Sequence, residues 1–379
     1  MPARDWTDAL LDDLLRQGDP PADAVAAAVL ADGDLDAINA LMRTLTHNAG
    51  AVPDGLPAPV LAYFQETARL PAWADPARIE AGEALFVRYG LPALQGLMLR
   101  ALPECYAMPA GAEVLVRTGR LDHLTRQRVL ETVHFTVDVM VPGGLGPEGR
   151  GVRSAQRVRL LHAAIRAHLR EVGRWEPGTR LPINQLEMLA TLGSFSVLIL
   201  DSLRRFGVDL TPAECDAYVH CWNVVGCVMG VREELLFRDL DDGLELWRRV
   251  RERERGPSAA GAALTRALLE FADDLIPGRL FDGINATMLR HLCGDALADL
   301  LEVPPGNWMR VFLRGYRRAV GVADDLQDLG PIARWIVRRV SHKAIVGLIG
   351  TGRAGARPSF DIPAELHAQW GVPAATEGA

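Results

Sequence analysis

The sequence predicts an all-α protein, one large multi-helix domain, and three observations carry that expectation. Apolar residues recur with a helical period along most of the 379 residues. Helix-start signals punctuate the pattern: Thr211-Pro212-Ala213-Glu214 gives a cap, a first-turn proline and an acid, and Asp75-Pro76 repeats the theme. Strand signals are scarce. Only Phe135 to Val141 is rich in β-branched residues, and it reads as the end of a helix running into a loop at Pro142-Gly143-Gly144.

Taken in order, helices are expected near 4–17, 21–46 with a break, 57–69, 76–101, 107–118, 122–140 and 152–172. They continue near 182–206, 212–229, 258–275, 282–301, 306–325 and 330–349. The Gly/Pro-rich stretch 142–151 joins two strong helices and reads as a loop, not as a domain linker. Residues 1–351 are expected to form the single domain, and 352–379, rich in Gly, Ala and Pro, a loosely ordered tail.

Composition narrows the function. Hydrophobic residues at 49% and charged residues at 23% suit a chain that buries a large core. A net charge of −7 argues against a nucleic-acid partner, which normally meets a basic face. Arg248, Arg249, Arg251 and Arg253 are interleaved with acids, as on a solvated helix surface. The five cysteines, Cys105, Cys215, Cys221, Cys227 and Cys293, form no CxxC pair and read as free thiols of a reducing compartment. The first residues carry acids where a signal peptide needs an apolar run, and no run of eighteen apolar residues is expected to span a membrane. These features together suggest a cytoplasmic protein with no integral membrane segment.

Three motifs offer chemistry and lack its context. Gly144 to Gly149 (GLGPEG) fits GxGxxG, but a dinucleotide site needs a preceding strand and a parallel sheet. Asp324-Asp325-Leu326-Gln327-Asp328 fits the DDxxD of magnesium-dependent isoprenoid synthases, where carboxylates one turn apart hold the metal; a second metal-binding motif is missing. Glu131 and His134 form one ExxH, half of what a di-iron bundle requires.

The helix around His162 is more informative. At about 100° per residue, Val158, Leu161, Ile165 and Leu169 form an apolar stripe. His162 lies beside it, towards a flank carrying Arg159 and Arg166. An inward imidazole for iron, an apolar face for a porphyrin and guanidinium groups for its propionates are the parts of a haem pocket. Ala163 and Ala164 would leave room for a flat partner. On spacing alone, the pattern also fits a hydrogen-bonded core histidine, the commoner occupant of such a position.

This segment, RxxHxxxR at Arg159, His162 and Arg166, resembles the latex-clearing-protein/MpaB family of haem oxygenases, and the resemblance runs from about residue 60 to 340. A second block, Arg128-Val129-Leu130-Glu131-Thr132, is similar to the family's RxxKT, preceded by family-like text at Val114 to Leu121. The resemblance implies that His162 is the axial iron ligand. It implies that Arg128 and Thr132 face the haem and that Arg159 and Arg166 anchor propionates. Ile276-Pro277-Gly278 and Leu289 to Asp295 also look like family text and make Arg290 a further pocket candidate.

The chain departs from the family twice. Glu131 stands where the rubber-cleaving members have lysine, and their catalytic glutamate falls near Ala112 or Glu113, with ungapped spacing favouring the alanine. The resemblance implies a haem-b-dependent oxygenase that uses dioxygen to cleave a carbon–carbon double bond in an apolar, isoprenoid-type substrate. Haem would be held non-covalently, since no CxxCH is present. Glu131 is the nearest candidate for a general base. A haem-binding sensor without turnover would use the same histidine and arginines, and a magnesium-dependent isoprenoid synthase is the third reading.

Overall fold

Capping side chains set where the helices begin. The computed structural model describes residues 4–32, 47–50, 52, 56–117, 121–171, 180–275 and 283–305, and among them there is no strand. The helices are α1 (Asp8–Leu14), α2 (Pro20–Asp32), α3 (Ala58–Glu66), α4 (Pro76–Arg88), α5 (Gly90–Gly96), α6 (Leu102–Tyr106), α7 (Pro109–Arg117) and α8 (Leu121–Met140). They continue as α9 (Gly151–Glu171), α10 (Gln185–Phe195), α11 (Val197–Arg205), α12 (Pro212–Val228), α13 (Leu240–Glu254), α14 (Ala259–Asp274), α15 (Ile284–Cys293) and α16 (Asp295–Leu300). Asp75 caps α4 and Thr211 caps α12, the latter with a reciprocal Thr211–Glu214 capping box, as the sequence predicts. A second capping box, Asn184 with Glu187, starts α10.

Three differences from the predicted elements have local causes. The stretch expected as one helix over 76–101 breaks at Tyr89, and a π-helical turn at Leu97–Ala101 links α5 to α6. The stretch 182–206 divides at Ser196, whose backbone leaves helical geometry. The acid- and arginine-rich run near 248–253 is a full helix, α13, and one face of it is core. Asp239 caps it, and Leu240, Leu246, Trp247 and Val250 are buried. The expected helices at 306–325 and 330–349, the tail at 352–379 and the DDxxD at 324–328 lie outside the described residues.

Packing is organised around α12, which is buried along most of its length and lies against α4, α9, α10 and α13. Trp222, Phe195 and Phe135 meet there, with Phe195 stacked on Trp222 at 5.1 Å between ring centres. A second apolar cluster gathers α6, α7, α8 and α15 about α14. A third packs α2 and α3 against Leu160, Ala163 and Ala164 of α9. The two alanines therefore make room for neighbouring helices, not for a flat ligand. Gln185 to Arg205 is long and apolar enough to cross a membrane by length and composition alone, but 78% of its qualifying eighteen-residue window is buried inside this fold, as in a core helix.

The GLGPEG turn follows α8, not a strand. Its carbonyls at Gly144 and Gly146 accept hydrogen bonds from Asn48, whose side-chain oxygen caps the start of α9 at Val152 and Arg153.

Gly193 on α10 is the tightest contact of the central cluster: a β-carbon there would fall 2.4 Å from Nε1 of the fully buried Trp247. Gly193→Ala should force the indole to shift and cost about 1–3 kcal/mol. Urea unfolding of the two proteins measures it, and an unchanged midpoint would show that the contact relaxes freely.

Candidate active site

A cavity of about 390 Å³ opens where α7, α8, α9, α10 and α12 converge. Its walls are mainly apolar, as in small-molecule sites generally. From α9, Val158, Leu161, His162 and Ile165 face it, the stripe and the bordering histidine that the spacing predicts. From α8 come Arg128, Glu131, Thr132 and Phe135. Helix α8 is thus buried on both sides at this level, with Val129 and Val133 packed away from water.

His162 is the distinctive group. Its Nδ1 is buried with no hydrogen-bond partner, which is costly for a core residue. Burial, and then the neighbouring Arg166 guanidinium, push its pKa down to about 4. The imidazole is therefore neutral near pH 7, the form that binds a metal. A satisfied core histidine is not what the structure contains.

On α8, Thr132 Oγ1 donates to the Arg128 carbonyl at 2.7 Å, and Arg128 donates to the Leu115 carbonyl of α7. Burial holds Arg128 below the usual arginine range, with Glu131 acting against it. Glu131 accepts from Gln127 Nε2 at 2.7 Å. His134 turns its Nδ1 to the Leu130 carbonyl at 2.7 Å and does not line the cavity, so the ExxH pair does not converge.

The other predicted residues lie elsewhere. Arg159 pairs with Asp19 and Arg166 with Asp23, both away from the cavity lining. Arg290 binds Asp295, Asp299 and the carbonyls of Val303 and Pro304, and ties down the chain after α16. Ala112 is buried without lining the cavity, and Glu113 pairs with Arg117 on the partly exposed side of α7. No carboxylate of α7 reaches the site.

Sequence reasoning missed a charged cluster on the opposite wall. Arg180 bridges Glu187 of α10 and Glu254 of α13 at 2.9 Å each, and all three line the cavity. Burial pushes Glu187 above the usual carboxylate range, with Arg180 pulling the other way. The Asn184–Glu187 capping box was a readable signal for Glu187. Nothing local links Arg180 to Glu254, 74 positions apart.

Residues 88–323 match the family described as ER-bound oxygenase mpaB/B′/rubber oxygenase, catalytic domain. A rubber oxygenase from Streptomyces sp. (strain K30) is 26% identical over 363 residues, covering 91% of this chain and 85% of that protein. The solved structure of latex clearing protein LCP in the closed state superposes with a TM-score of 0.76 at 24% identity, covering 92% of this chain and 94% of that one. The likeness in structure is one of fold. Asp19 and Asp23 precede the matched region.

The depressed His162 pKa predicts a pH dependence for the ligand-free chain. The unfolded imidazole takes up a proton below its ordinary value of 6.5 and the buried one does not until about 4, so stability falls as pH drops through that window. Urea unfolding at a series of pH values should show this slope, and His162→Phe should flatten it. An equal slope in both proteins would place the titration on other groups.

Proposed function

The chain belongs to the family of mpaB and rubber oxygenase catalytic domains, an oxygenase family, and from that premise we propose a haem-b-dependent oxygenase that cleaves a carbon–carbon double bond in an apolar, isoprenoid-type substrate. The observation that carries this reading is the His162 imidazole on the wall of an apolar cavity, half-buried overall and with its Nδ1 buried and unpartnered. The donor set fits haem b: one neutral imidazole, apolar walls, and the Arg128 guanidinium on the same cavity, whereas Arg180 is already taken up by Glu187 and Glu254. His162 would hold the iron, and Arg128 would face a propionate, the part expected also from Arg159 and Arg166. When bound, haem supplies the activation of dioxygen.

The residues of the chain supply binding and orientation. Phe135, Phe195 and Trp222 give an aromatic wall against which an alkene chain can lie. The Thr132 hydroxyl fixes the α8 turn that presents Arg128, and Glu131, one turn from Gln127, is the carboxylate placed to take a proton at its Oε atoms. Cleavage turns each alkene carbon into a carbonyl, which consumes both atoms of one dioxygen and needs no external reductant. Among the described residues no second histidine lines the cavity, which favours turnover over a sensor that would need two strong ligands. The five free cysteines suit the cytoplasmic location expected from composition.

Protein expressed with a haem precursor should show a Soret band that is lost or shifted in His162→Ala. With an oligomeric isoprenoid as probe, it should consume dioxygen and yield carbonyl products, and Glu131→Gln should slow this by about 10²-fold if the carboxylate moves a proton. A colourless wild type, loaded or not, would overturn the haem reading.

A further inference from the structure

We propose that Asp19 and Asp23 are positioning residues for His162: through Arg159 and Arg166 they clamp the N-terminal segment onto the helix that carries the imidazole. The inference rests on the reading of His162 as the ligand, and adds to it residues upstream of the family region. Arg159 lies three residues before His162 and Arg166 four after it, so the clamp holds α9 on both sides of the ring.

The geometry is specific. Arg159 meets Asp19 in a fork, Nε to Oδ2 at 2.6 Å and Nη2 to Oδ1 at 2.7 Å, and its third nitrogen donates to the Val228 carbonyl that ends α12. A two-point fork fixes orientation as well as distance. Arg166 Nε donates to Asp23 at 2.8 Å and Nη1 to the Ile183 carbonyl at 2.8 Å. Asp19 and Arg166 are each 2% exposed, so the Arg159–Asp19 pair is closed to water, while Asp23 stands partly open on the outer side of its pair.

Space has been left for both pairs. Gly230 has φ +88°, and a β-carbon there would fall 2.4 Å from Asp19 Oδ2 and 2.6 Å from Arg159 Nε. At Gly18 a β-carbon would fall 2.8 Å from Asp23 Oδ2. The same segment is bonded along its backbone: Leu181 donates to the Leu15 carbonyl and Gln185 to that of Gln17, while the Gln185 side chain spans Gly18 and Gly230. Ile183, whose carbonyl Arg166 holds, is itself on the cavity wall. Removing either carboxylate therefore frees a guanidinium beside the imidazole and one tie to the wall it shares. A buried ion pair is a weak source of stability, and its best-attested use is to fix registry.

The test uses the full chain loaded with haem. Asp19→Asn and Asp23→Asn, singly and together, remove the charge at constant shape. Gly230→Ala drives the first pair apart with every charge in place. Transfer of haem to excess apomyoglobin should be at least ten times faster in the double variant and in Gly230→Ala, and the Soret maximum should move towards that of His162→Ala. Asp23→Glu should restore much of both. Variants that unfold earlier in urea but keep the wild-type transfer rate and Soret maximum would overturn the clamp. A second readout needs no haem: the rate at which diethylpyrocarbonate modifies His162 in the haem-free chain, mapped by mass spectrometry. It should rise several-fold in the variants, and an unchanged rate would overturn the proposal. Should the wild type take up no haem, the oxygenase reading falls by itself and this rate still decides the clamp.

Discussion

A guanidinium cannot shed its charge, so every arginine on a buried helix must be met by an acceptor. Helix α9 is such a helix, and much of the surrounding chain path answers that demand. Arg153 collects the Gly50 carbonyl and Gln156, Arg159 collects Asp19 and the end of α12, and Arg166 collects Asp23 and Ile183. Segments distant in sequence, 15–23, 47–50 and 181–185, converge on one helix for this reason. Against that background of paired arginines, the buried Nδ1 of His162 is the group that borders the cavity without a hydrogen-bond partner. The contrast, more than the histidine itself, marks the site.

The cavity has charge on two walls and apolar side chains between. Arg128 and Glu131 stand on α8; Arg180, Glu187 and Glu254 stand where α10 meets α13. A carboxylate, Glu131, lines the cavity from α8, and none reaches in from α7. The aromatic residues that line the middle come from α8, α10 and α12, whose positions depend on the central core.

How much of this was legible from the sequence follows from the range of each interaction. Helix α9 was legible because its stripe is local, and Val158, Leu161, His162 and Ile165 do share one face. The two starts at Asp75 and Thr211 were legible because a cap is a contact over three residues. The charged surface of α13 was legible and its buried face was not, although Leu240, Leu246, Trp247 and Val250 already had helical spacing. Arg159 and Arg166 were correctly placed beside His162, but the carboxylates they meet were not legible, since nothing local announces Asp19 and Asp23 some 140 residues away. Arg180 and Glu254 had no signal of their own for the same reason. Local chemistry could be read; pairings across the chain could not.

Ile183 stands at φ +53°, a conformation that a β-branched side chain adopts only under constraint, at a cost of about 1–3 kcal/mol. Its neighbours over-determine it: Arg166 holds its carbonyl, and Asn184 after it begins a capped helix. A taut backbone joint in the wall of a chamber has a mechanical consequence. The shape of the wall at Ile183 therefore lasts only as long as the contacts that hold α9 and α10, so a loosened pair there would be felt in the outline of the chamber.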